Sequence, residues 1–196
     1  MIKKDEQARI AKISVDAVTD EIKEIFSLFS GPGRINVEEN HVLNTFAQHP
    51  PLAMAFLSFN RYLLMQSTLP VRLRQIAIMR VAWLTKSRYV WSSHLRTSLR
   101  NGLTDEVFEP IKTGSTSPYW TADEKLIMQA TEQLLDKGDL EDVMFQSLSA
   151  VLETRQLMDF IFTVGAYQLL ASVCKSLRIE REDALLELAE RYGAPQ

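Results

Sequence analysis

The sequence predicts an all-α fold, and three observations carry that prediction. Apolar residues recur at helical spacing along most of the chain. No stretch shows the two-residue alternation of a half-buried strand. Ser, Thr, Gly and Pro punctuate the apolar runs where helices start and stop. With 196 residues, 46% of them apolar and 24% charged, the chain is read as one domain, 1–196, with its own core.

Taken in order, residues 1–14 read as a loose arm. Val15, Val18, Ile22, Ile25, Phe26 and Phe29 then fall at helical spacing, and Gly31-Pro32-Gly33 should end that helix. Residues 40–50 read as a short helix stopped before Pro50. A longer helix follows with Pro51 in its first turn and an apolar stripe of Leu52, Phe56, Phe59, Leu63 and Leu64. Pro70 opens the next helix, whose apolar face (Leu73, Ile76, Ala77, Val81, Leu84) is interrupted by Arg80. Residues 87–102 continue as a helix ended by Gly102, and Thr104 is the expected N-cap of a short helix. Residues 115–120 read as a loop. Thr121 and Glu124 have the spacing of a capping box, and Gly138 closes that helix. An amphipathic helix over 140–152, a long apolar one over 154–176 and a final amphipathic one complete eight to ten helices.

Composition excludes several functions. The net charge of -3 argues against general nucleic-acid binding. No apolar run has the expected length of a membrane span, and the N-terminus leads into charge, which points to the cytoplasm. Cys174 is the only cysteine, so an intramolecular disulfide, a Cys-x-x-Cys centre and a cysteine-cage zinc site are all impossible. Its apolar surroundings suggest a small buried hydrophobe.

Charge is unevenly spread. Between Asn40 and Thr104 there is no acid but eight basic residues: Arg61, Arg72, Arg74, Arg80, Lys86, Arg88, Arg96 and Arg100. The remainder carries 14 basic and 25 acidic residues. A basic segment of this kind either collects an anionic ligand or faces the acidic C-terminal third, within the chain or across an interface.

The histidines are His41, His49 and His94, and none has the spacing of a metal pair. No phosphate loop or Gly-x-Ser-x-Gly elbow is present. His41 and His49 suit caps or the surface. His94 is the better candidate. On a helix it shares a face with Ser87, Val90, Trp91 and Ser98, where an imidazole can act as general acid or base or simply hydrogen-bond to a neighbour.

The run "LPVRLRQIAIMRVAWLTKSRYVWSSHLRTSLRNGLTDEVFEPI", with "LMDFIFTVGAYQLLASVCKSL" later, resembles the carboxymuconolactone decarboxylase and alkylhydroperoxidase-D-like superfamily. It is most similar to longer members in which Arg-Glu-x-x-x-x-Arg precedes Tyr-Glu-Trp-x-x-His. The likeness covers about residues 35–180. It implies an alkylhydroperoxidase-D-like helical bundle, a homo-oligomer (dimer, trimer or hexamer), and a small-molecule pocket between helices. The redox branch uses Cys-x-x-Cys-x-x-x-His and an upstream Glu. Here His94 matches the His, Ser87 and Val90 stand at the cysteine positions, and Gln75 stands at the Glu. Dithiol-dependent peroxide reduction is therefore not expected, because neither Ser nor Val can cycle through a disulfide. Val90 also replaces the Glu of Tyr-Glu-Trp, so His94 is the one ionisable group of the motif retained.

On that resemblance the expected activity is cofactor-free proton transfer (decarboxylase, lyase or isomerase type) on a small, anionic organic acid or lactone. His94 would move the proton. Gln75, Arg80, Ser87, Tyr89, Trp91 and Tyr167 would contact substrate, with no metal and no cofactor. Arg80 would hold a carboxylate or hold helices together. A non-catalytic binding or assembly protein is the alternative reading, and peroxidase-related activity a remoter one.

Overall fold

The computed structural model describes residues 5, 7–30 and 40–196, and among them every regular element is helical. Helix α4, Val71–Leu84, is the one around which the others are laid. Its residues 74–82 are buried without a break, which is the pattern of a helix enclosed on all sides. It packs against α5 (Arg88–Arg100), α6 (Phe108–Thr113), α7 (Ala122–Lys137) and α9 (Thr154–Leu177). Along α9 the buried residues Leu157, Phe160, Val164, Tyr167, Ala171 and Cys174 step alternately by three and four, the spacing of a packed seam. The short α8 (Asp142–Ser149) links α7 to α9 and buries only Leu148.

A second, smaller apolar cluster sits beside this core. It joins Ile13 to α1 (Asp20–Ser30), α2 (His41–Phe46) and α3 (Pro50–Met65) through Ile22, Ile25, Phe26, Leu43, Ala53 and Leu57. Phe46 touches both clusters. The last helix, α10 (Asp183–Tyr192), lies on α5. There the Trp91 indole donates to the Gly193 carbonyl at 2.8 Å, and Lys112 donates to the Tyr192 carbonyl at 2.6 Å.

Local chemistry accounts for most of the boundaries. Asn40 caps α2 and His49 caps α3 through their side chains. Thr121 and Glu124 form the expected capping box, and Gly138 closes α7 in the left-handed region at φ 73°. Other expectations need correction. The helix read from Val15 breaks into a 3-10 turn, Val15–Ala17, before α1 begins at Asp20. Thr104 makes no side-chain cap, and a 3-10 turn precedes α6. Leu52 and Phe59 of the α3 stripe are exposed, because Ala53, Leu57, Asn60 and Leu63 take the inner face. The Gly31-Pro32-Gly33 stop lies outside the described residues.

Residues 1–14, expected to be loose, contain well-anchored positions. Asp5 pairs with Arg181 at 2.8 Å, and the Arg181 side chain is fully buried. Arg9 donates from its backbone to Leu177 at 3.0 Å and from its guanidinium to Ser176 at 2.9 Å. Ile13 is buried and its N–H donates to Asn44 at 2.7 Å. The same corner holds α2 and α5. The His41 ring donates to the Glu180 carbonyl at 2.8 Å, and Glu182 accepts from the His41 backbone at 2.6 Å and from the Tyr89 phenol at 2.7 Å. Such long-range bonds leave no local trace in an amphipathic pattern.

The membrane reading also needs correction. By length and composition α9 could span a bilayer, with mean hydropathy 1.5 over its most apolar window. Half of that window is buried against the other helices, as in a core helix.

Arg80 explains the conformation of the loop after α6. Its guanidinium donates to the Ile111 and Lys112 carbonyls at 2.9 and 2.8 Å and to Glu132 at 3.0 Å. Gly114 sits over this cluster at φ +96°, where a Cβ would fall 2.6 Å from the Glu132 carboxylate and overlap the guanidinium. Gly114→Ala therefore combines backbone strain with a clash and should destabilise the protein by about 2–4 kcal/mol, read from urea unfolding. A loss below about 0.5 kcal/mol would show that the loop relaxes freely.

Candidate functional site

The α4–α5 hairpin creates the site. α4 ends at Leu84 with Thr85 as its C-cap, Lys86 takes the left-handed conformation at φ 57°, and Ser87 donates its backbone N–H to Ala82 at 2.9 Å. That tight reversal lays α5 back along α4. Gln75, near the start of α4, consequently meets His94 and Ser98, in the second half of α5. His94 Nδ1 lies 3.0 Å from Gln75 Oε1, and the Ser98 hydroxyl donates to the same oxygen at 3.2 Å. Because that oxygen accepts, Nδ1 carries the imidazole proton and Nε2 keeps its lone pair. Tyr167 of α9 packs edge-on against the imidazole, with ring centroids 4.8 Å apart.

Gln75, His94 and Tyr167 border a cavity of about 460 Å³. Its apolar walls come from α2, α3, α5 and α9, including Val42, Leu43, Phe56, Leu57, Leu64, Val90 and Leu170. The charged residues among its described lining are Arg74, Arg96 and Arg100, with no acid among them. Burial, reinforced by Arg74 and Arg96, pulls the His94 pKa down from 6.5 to about 3. The imidazole is therefore neutral near pH 7. Burial likewise raises the Tyr167 phenol above its ordinary range, so it remains a donor.

The expected site residues separate into two groups. His94, Gln75, Tyr89 and Tyr167 all line the cavity. Arg80, Ser87 and Trp91 do not. Arg80 is committed to α6 and α7, as described above. Trp91 points the other way, against Trp83 at 5.0 Å and into the C-terminal segment. Ser87 is fully buried and borders a separate depression of about 290 Å³ with Cys174. Cys174 is buried and its thiol is pushed up to about 12, so it is a poor nucleophile in this setting. Tyr89 touches both spaces, but its phenol is bound to Glu182.

Two important residues were not singled out by sequence. Arg74 crosses to α3, donating to the Leu64 and Leu69 carbonyls at 3.0 and 3.2 Å. Asn60 is buried on the inner face of α3 beside Tyr167. A polar residue at each of these otherwise apolar helix positions is the signal that could have marked them. Among the described residues, no cluster of His, Cys, Asp and Glu has the makings of a metal site.

Comparison with known proteins agrees with this fold. Residues 50–112, which run from α3 into α6, match the carboxymuconolactone decarboxylase family. The fold is similar to that of the debrominase Bmp8, solved as a cysteine-to-alanine variant with 2,3,4-tribromopyrrole: TM-score 0.78, 14% identity, covering 96% of this chain and 99% of that one. It is also similar to that of an alkylhydroperoxidase AhpD core from Ralstonia eutropha JMP134, an uncharacterized peroxidase-related protein: TM-score 0.76, 14% identity, 96% and 98% coverage. ATU0492 of Agrobacterium tumefaciens, a protein of unknown function, aligns with TM-score 0.65 and 17% identity over 70% of this chain and 95% of its own. No curated protein matches the chain.

The depressed His94 pKa gives stability a definite pH dependence. Above pH 6.5 both folded and unfolded chains hold a neutral imidazole. Between 6.5 and about 3 the unfolded chain takes up a proton that the fold excludes, so stability falls as pH falls. From pH 7 to 5 this should lower the Tm by on the order of 5 °C in the wild type, and His94→Gln should lack that component. Parallel Tm–pH curves for the two proteins would show that His94 titrates normally.

Proposed function

We propose that this protein, whose residues 50–112 match the carboxymuconolactone decarboxylase family, is a cofactor-free proton-transfer enzyme acting on a small organic acid or lactone. One observation carries the reading: a neutral His94–Gln75 pair faces a cavity whose described charged lining is all arginine. Nε2 of His94 accepts the proton. Gln75 fixes the imidazole tautomer through Nδ1. The arginines lower the energy of negative charge that develops on the substrate. With a pKa of about 3 the free imidazole is a weak base. An anionic substrate beside it offsets Arg74 and Arg96 and makes it a stronger one. Decarboxylation, if that is the reaction, needs an electron sink within the substrate, such as a β-carbonyl or conjugated lactone.

Thiol chemistry is no part of this reading, because Ser87 and Val90 stand at the cysteine positions and Cys174 lies outside the cavity lining. Turnover of organic hydroperoxides with a dithiol donor should stay at the uncatalysed rate.

A ligand screen tests the main reading. Lactones, keto acids and aromatic acids are ranked by thermal shift on wild type and His94→Gln, with product analysis of each hit. A compound bound by both proteins, but converted at least about a hundredfold faster by wild type, is the expected result. Binding without conversion in every case would leave the non-catalytic alternative.

The proposal includes a homo-oligomer working in the cytoplasm, with neither nucleic acid nor membrane as partner. The face that suits a second copy is formed by Phe59, Tyr62 and Met65 of α3 with Met158, Phe162 and Leu169 of α9, all exposed. Phe59 and Phe162 already touch edge-on across it, with centroids 6.0 Å apart. Contiguous apolar surface of this kind is rarely left to water. Light scattering should give at least a dimer, and Phe162→Asp a monomer; a monomeric wild type removes this part of the proposal.

A further inference from the structure

We propose that the inner wall of the cavity is a receptor for one oxyanion, so that the ligand is a small, mostly apolar molecule carrying a single carboxylate or enolate. This deepens the functional reading above and rests on the cavity being the substrate site. The observation is a set of missing partners. Among the described residues, three buried side-chain donors, Asn60 Nδ2, Arg74 Nε and Gln75 Nε2, have no hydrogen-bond acceptor, the Tyr167 phenol beside Asn60 aside. All three residues line this one cavity. A buried donor without an acceptor is costly, and three around one space call for a common acceptor.

For Gln75 and Arg74 the free atom follows from what their other atoms do. Gln75 Oε1 accepts from the His94 Nδ1–H and from the Ser98 hydroxyl, which leaves its N–H₂ as the unpaired group. The two terminal nitrogens of Arg74 each donate to a carbonyl, of Leu69 and of Leu64, while Nε is unpaired. The unpaired set therefore offers hydrogens only. A hydroxyl or primary amide would bring hydrogens of its own against these donors. A carboxylate brings two oxygens and no hydrogen, and its charge suits the Arg74 guanidinium. The enolate oxygen formed when His94 removes a proton next to a carbonyl has the same character. Phe56, Leu57, Leu64, Val90 and Leu170 supply an apolar enclosure for the body of the molecule, and about 460 Å³ accommodates a ring of six atoms with its substituent.

Calorimetry with benzoate and its neutral isostere benzamide tests this on the wild-type protein. Benzoate should bind at least tenfold more tightly. Gln75→Glu keeps an acceptor toward His94 and Ser98 but replaces the free N–H₂ by an oxygen, and should weaken benzoate at least tenfold. Asn60→Leu, which removes a different donor, should do the same, with melting curves recorded for both variants to confirm folding. Equal affinity for benzoate and benzamide overturns the proposal. So does a folded Gln75→Glu that binds benzoate as well as wild type. Absence of binding at millimolar benzoate, cyclohexanecarboxylate and hexanoate overturns it too. The outcomes also separate the two readings. Selective carboxylate binding with no conversion of any acid or lactone leaves the receptor standing and removes the enzyme. Conversion of neutral lactones that Gln75→Glu does not slow removes the receptor and leaves the enzyme.

Discussion

A helix enclosed on every side cannot carry a polar side chain without committing a neighbour to it, and α4 carries three in its buried run: Arg74, Gln75 and Arg80. Each one fixes a different part of the surroundings. Arg74 captures the carbonyls at the end of α3 and in the turn after it. Gln75 captures α5 through His94 and Ser98. Arg80 captures the end of α6 and Glu132 of α7. Apolar packing alone would tolerate small rotations of these helices. A buried guanidinium does not, because losing its partners leaves an uncompensated charge. The position of the cavity therefore follows from the hydrogen-bond requirements of one helix.

The acid-free stretch from Asn40 to Thr104 resolves into two uses. Arg72 and Arg80 turn toward α7 and pair with Glu124 and Glu132, so part of the basic segment does face acid within the chain. Arg74, Arg96 and Arg100 stay around the cavity. Sequence separation could not divide these groups, since Arg72 and Arg74 are two residues apart. On a helix that spacing is a rotation of about 200°, enough to send one to α7 and the other to α3.

How far the sequence could be read follows the same physics. Caps and stops are local, so Thr121, Glu124 and Gly138 declared themselves. His94 and Gln75 were placed in one site because a family pattern tied those two positions, but their direct hydrogen bond was not foreseen. Arg80, Ser87 and Trp91 were grouped with them on the same pattern, yet their side chains leave the hairpin in other directions. The stripe on α3 was misjudged because Leu52 and Phe59 are as apolar as a core face and nothing in the helix itself says they are exposed. Asn60 was passed over because one amide in an apolar run looks incidental until its buried neighbours are known. Cys174 was read correctly, since its environment is set by its own helix.

The corner between α9 and α10 ties together parts of the chain that are far apart in sequence. Asp5 and Arg9 reach it from one end, His41 from α2 and Tyr89 from α5. Its residues therefore cannot fray one contact at a time. Opening the corner releases the arm, the start of α2 and the Tyr89 phenol together, a single cooperative unit in the sense of local unfolding. Val42 and Leu43 of α2 are cavity wall. Whatever free energy holds Asp5 against Arg181 therefore also enters the equilibrium between an intact and an open wall. The amides of residues 9, 13 and 41 should exchange with solvent through one shared event, although no two of them are neighbours in the chain.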